Sequence, residues 1–178
     1  TSSFTGATPN RLVDTRNGTG GSQGQLTPAE FKMVPIHGLS LDVNGVTTTV
    51  PSTATAAALN VTVVSPSSSG FATVYPCSSA RPLASNLNYV PGQVVANNVV
   101  APIGDNGFVC LFTSANSDLV VDISGWFNSD AEEAFVGAAP LRFVDTRSAN
   151  GPSPSVYLLS DINFTDASFA DCVENSGL

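Results

Sequence analysis

Charge is scarce in this chain. Charged residues make up 11% of its 178 positions, where about 25% is usual, and only six are Lys or Arg against fourteen Asp or Glu. Too few cations are present to cluster on a phosphate backbone, so nucleic acid is excluded as a partner. A single histidine, His37, leaves few bases for nucleophilic catalysis, and no Gly-x-Ser-x-Gly elbow occurs. With three dispersed cysteines and one histidine, no zinc set is expected, and neither a P-loop, a dinucleotide fingerprint nor a complete EF-hand appears. We expect no cofactor and no metal. Apolar runs stay well short of the roughly 18–20 residues that cross a bilayer, so membrane insertion is not expected, and no basic-plus-apolar leader opens the chain.

What the chain has instead is hydroxyl, amide and β-branched side chains. Ser, Thr, Asn and Gly are abundant, which suits an all-β protein whose outer faces are polar without being charged. Its length allows one well-filled core and a smaller appendage. Acidity concentrates late. Residues 129–178 hold eight acidic side chains against Arg142 and Arg147, a balance of −6 out of the chain's −8.

One stretch occurs twice. Residues 4–16 and 135–147 share Phe, Gly, Ala, Pro, Arg, Val, Asp, Thr and Arg at a constant offset of 131. The expected organisation is therefore a complete module over 1–128, followed over 129–178 by the start of a second repeat and an acidic extension. Within each copy an Asp and an Arg lie two apart, Asp14 with Arg16 and Asp145 with Arg147. Alternation over 11–16 places Leu12, Asp14 and Arg16 on one face. A structural role, capping loop backbone groups, is the expectation, with a metal contact at Asp14 and ligand binding as the other readings.

Short strand-like runs separated by turn residues follow. Residues 30–36 contain Pro35, which lacks an amide donor and so belongs at a sheet edge. His37 reads as a turn or surface residue. Over 54–64, Ala57, Leu59, Val61 and Val63 point one way and Asn60 and Thr62 the other, a half-buried strand. The turn at 66–70 predicts a hairpin between that strand and 71–77. Residues 83–89 and 93–102 flank a Pro91-Gly92 turn, and 104–107 form another before 108–112. Residues 118–127 close the module with Leu119, Val121 and Ile123 inward. Roughly nine such strands predict a β-sandwich, jelly-roll-like or immunoglobulin-like.

Cys77 and Cys110 fall in separate strands, which fits a disulfide in an oxidising compartment, two buried thiols being the alternative. Cys172 is left over. Asn86 and Asn88 share a face, and with Tyr89 and Trp126 they make a possible glycan contact, provided that rings such as Tyr75, Tyr89 and Trp126 are exposed. Otherwise such asparagines satisfy backbone groups. Asp14 and Asp122 stand as a possible carboxylate pair.

Arg-Leu-Val-Asp-Thr-Arg at 11–16, Ala-Leu-Asn-Val-Thr at 58–62, Phe-Ala-Thr-Val-Tyr-Pro-Cys at 71–77, Ala-Ser-Asn-Leu-Asn-Tyr at 84–89 and Leu-Val-Val-Asp-Ile-Ser-Gly-Trp-Phe at 119–127 together resemble a repeated module of secreted and surface proteins of actinobacteria and related bacteria. The resemblance covers 4–127 and the restart at 135–147. It implies a secreted, cell-surface location and tandem repetition, in arrays or beside other domains including hydrolases, and it brings no catalytic residue to this chain. The expected function is a non-catalytic extracellular structural or assembly module that polymerises by strand addition. Its partners would be copies of itself or neighbouring modules. The alternatives are a carbohydrate-binding module, with polysaccharide as partner, and an accessory domain of a secreted hydrolase.

Overall fold

The computed structural model describes residues 3–21 and 23–128; the second copy with Asp145 and Arg147, Cys172 and the acidic extension lie outside the described residues. Ten strands run in order: β1 (Ser3–Asp14), β2 (Lys32–Pro35), β3 (Ser40–Val43), β4 (Val46–Thr49), β5 (Ala54–Val64), β6 (Gly70–Pro76), β7 (Leu87–Tyr89), β8 (Val94–Pro102), β9 (Phe108–Thr113) and β10 (Asp118–Asn128). Two four-stranded antiparallel sheets carry the fold, with orders β1-β10-β5-β8 and β2-β9-β6-β7, while β3 and β4 form a separate hairpin.

These orders define a jelly roll and not an immunoglobulin sandwich. Set the β3–β4 hairpin aside, and β1, β2, β5 and β6 pair in turn with β10, β9, β8 and β7, as in one long hairpin rolled across two sheets. The predicted hairpin between 54–64 and 71–77 is accordingly a correction: β5 pairs with β10 and β8, whereas β6 pairs with β9 and β7. The turn at 66–70 carries the chain from one sheet to the other. Turn residues signal a reversal, but they do not say whether the next strand lies beside or across.

Alternation fills the space between the sheets. Ala57, Leu59, Val61 and Val63 of β5 are buried, as are Leu119, Val121 and Ile123 of β10, and they meet Val74, Val109 and Leu111 of the second sheet in one apolar cluster. Each large side chain buried there contributes roughly 1.5–3 kcal/mol. Pro35 ends β2, an edge strand, as its missing donor requires. Cys77 and Cys110 are disulfide-bonded, fastening the end of β6 to β9 across 33 residues. That bond fits an oxidising environment. Among the described residues no helix is long and apolar enough to cross a membrane.

Candidate functional site

The residues shared by the two sequence copies gather where the first strand meets the last. β1 runs from Ser3, so Pro9 lies inside it. A proline is tolerated here because β1 is an edge strand and its register with β10 is already broken between Gly6 and Asn10. A second shift falls between Arg11 and Val13: Arg11 faces Asp122, Val13 faces Val121, and Leu12 is the extra residue of a bulge. Simple alternation over 11–16 fails for that reason. The bulge leaves Arg11 outside and sends Val13, Asp14 and Thr15 into the protein in succession.

A clasp results. Arg11 Nε and Nη2 donate to the two carboxylate oxygens of Asp122 at 2.8 and 3.1 Å, while its Nη1 donates to Asp14 Oδ2 at 3.2 Å. Arg16 closes over Asp14 from the other side, Nε to Oδ1 at 2.8 Å and Nη2 to Oδ2 at 2.6 Å, with its backbone N–H on Oδ1 at 3.2 Å. Such forked, charge-assisted bonds are the strong kind, and here they tie three segments together. Thr15 adds a fourth tie: its hydroxyl donates to Asp118 Oδ1 at 2.7 Å and accepts from the Leu119 amide at 3.0 Å.

Electrostatics follow from these contacts. The Arg16 guanidinium, helped by its amide and by Arg11 and opposed by desolvation, holds the Asp14 carboxyl down at about 2. Asp14 is thus ionised at any ordinary pH, its oxygens committed to two arginines. Asp14 and Asp122, the possible carboxylate pair, share the Arg11 guanidinium. Of the expected capping, Asp14 supplies one backbone bond, accepting the Arg16 amide, while the Arg16 guanidinium is given to Asp14. In the loop Gln23 Nε2 donates to the Arg16 carbonyl at 2.7 Å and Asn17 Oδ1 accepts from the Thr19 amide at 3.0 Å. Gly20, at φ +74°, completes this loop; a Cβ there would overlap the Leu12 carbonyl oxygen.

The candidate glycan contact is not assembled. Trp126, Tyr89 and Tyr75 are 2%, 4% and 6% exposed, so none offers a ring face to a sugar. Tyr89 instead turns its hydroxyl inward, donating to the Phe71 carbonyl at 3.1 Å and accepting from the Ala115 amide at 3.2 Å. Asn86 Oδ1 accepts from the Val74 amide at 2.7 Å, and Asn97 Nδ2 donates to the Asn86 carbonyl at 2.6 Å. Asn88 is exposed and stands opposite the half-buried Phe71 across the β6–β7 pair. These amides join backbone across the β7–β8 side of the sandwich. His37 is half-buried, and its Nε2 carries the hydrogen donated to the Ala54 carbonyl at 2.9 Å, since a carbonyl can only accept.

Sequence reasoning placed Asp14 and Arg16 in a structural role and paired Asp14 with Asp122, but missed Arg11, Thr15 and Asp118 as their companions. A signal existed: Arg11 and Thr15 both recur in the second copy, as Arg142 and Thr146. Among the described residues no three His, Cys, Asp or Glu side chains are grouped to hold a metal ion.

No protein-family model matches the chain, and no solved structure matches it. Over 76 residues, 42% of this chain, it is 32% identical to divinyl ether synthases of Solanum tuberosum and Solanum lycopersicum, and the chain spans 16% of the length of each. A likeness over so small a share of either enzyme shows no family and does not decide whether this chain catalyses a reaction.

Proposed function

We propose that this chain is a non-catalytic extracellular module of a bacterial surface protein, serving structure and assembly by strand addition. One observation carries the reading: of the polar residues shared by the duplicated stretch, Arg11 and Thr15 bond Asp122 and Asp118 of β10, and Arg16 closes on Asp14, which Arg11 also holds. The disulfide supports an oxidising location. The resemblance to a repeated module of bacterial surface proteins supports the cell surface and tandem use, beside hydrolases or in arrays. A screen of the purified chain against glycan, ester and peptide libraries, and for divinyl ether formation, tests the claim. No turnover is expected. Turnover that Asp122→Asn abolishes while the far-ultraviolet spectrum stays unchanged would overturn it.

A further inference from the structure

Exposed strand edges are ordinarily blunted by short length, charge, proline or a bulge. Three of the four sheet edges conform. β1 carries Pro9, Arg11 and two register shifts; β2 is four residues long with Lys32 and Pro35; β7 has three residues. β8 does not conform. It runs nine residues without a charged side chain, pairs with β5 in unbroken register from Val94 to Pro102, and has its one proline at the last position. Among the described residues no strand pairs with its other side. Val94 and Val100, 66% and 44% exposed, sit on its outer face.

The order of residues along β8 says what fits there. Val94-Val-Ala-Asn-Asn-Val-Val100 matches its own reverse about Asn97 at every position except Ala96 and Asn98. Laid antiparallel against a second copy with Asn97 opposite Asn97, Val94 meets Val100 and Val95 meets Val99, each pair occurring twice across the two-fold axis. Every pair in that register joins residues of the same face, so inner positions continue inner positions. Each chain carries a net charge of −8, yet no charge lies on the strands that would meet.

We infer that β8 is a docking edge for β8 of a second copy of this chain, the two first sheets continuing into one across an antiparallel pair centred on Asn97. The inference rests on the assembly role proposed above and gives it a surface. A nine-residue edge contact is small beside the roughly 1,200–2,000 Å² of stable interfaces, so the free module pairs weakly and tandem copies pair through raised local concentration.

Sedimentation of the full chain from about 10 µM to about 1 mM is the test, since weak pairs dissociate in that range. A monomer–dimer equilibrium is expected, weakened at least about tenfold by Val100→Lys, which places a cation on the edge of each copy. In a Cys172→Ser background, Asn97→Cys should yield a disulfide-linked dimer on mild oxidation, because residue 97 meets its own counterpart. Asn98→Cys, whose neighbour across the pair is residue 96, should not. Equal linkage of the two variants overturns the register. Self-association that Val100→Lys leaves intact overturns the β8 edge while the assembly role stands, and points to another contact such as residues 135–147 of a second copy. A chain that stays monomeric and unlinked throughout overturns both.

Discussion

The first sheet has two long edge strands built on opposite plans. β1 is bulged, contains a proline, and is held by two arginines that engage three carboxylate–guanidinium contacts with Asp14 and Asp122. β8 is regular and uncharged, with Val94 and Val100 exposed on its outer face on either side of Asn98. An edge that is pinned by local ion pairs and bent out of register cannot template another strand, whereas a straight neutral one can. Among the described residues the same sheet therefore closes itself on one side and leaves a regular edge on the other.

Removing the disulfide is expected to have the largest effect and to act on both edges alike. Cys77→Ser with Cys110→Ser should lower stability by about 2–4 kcal/mol in urea titration, as expected for a loop of this length. The bond lies in the second sheet, so the dissociation constant of the folded copies should not change; a change would make the β8 edge depend on the second sheet. Gly20→Ala separates the edges. Its left-handed backbone and the overlap with the Leu12 carbonyl should cost about 1–3 kcal/mol. Hydrogen exchange should quicken at the Asp14 and Thr15 amides, which donate to Thr19 and Leu119, while amides between β5 and β8 keep their relative protection. The smallest effect is a titration. Because Asp14 is held at about 2 in the folded protein against an ordinary 3.8, its contribution is present above pH 3.8 and is lost as pH falls through about 2. Acid unfolding of Asp14→Asn should be flatter across that window. Glu30, also lowered by the Thr27 hydroxyl and amide, leaves a residual slope in the variant.

Periodicity made much of the sandwich legible. The inward sets of β5 and β10 alternate at their centres, and Cys77, directly after β6, is bonded to Cys110 of the adjacent β9. Two kinds of feature were hidden. The bulge at Leu12 inverts the faces of everything after it, and nothing in the local composition marks one extra residue, so the contact of Arg11 with Asp14 was not readable from alternation. Sheet membership was hidden too. β5 and β6 look like a hairpin because hairpins and sheet-crossing arches use the same turn residues. The burial of Tyr89 and Trp126 follows from their place on inward-facing positions, while the sequence alone left open whether those rings formed an exposed row.

Arg11 and Asp122 are 111 residues apart, joining the first strand of the roll to the last. For a chain made from its N-terminus at roughly 5–20 residues per second, β1 waits on the order of ten seconds before its partner exists. Contacts of such long range form slowly, so the closing step of this module comes late by construction. Soon after β10 is made, the same Arg, Asp, Thr and Arg signature is made again at residues 142–147. β10 is thereby offered one set of ion-pairing residues from far upstream and an equivalent set from close downstream. In a chain built this way, correct folding requires β10 to take the upstream segment in preference to its downstream likeness.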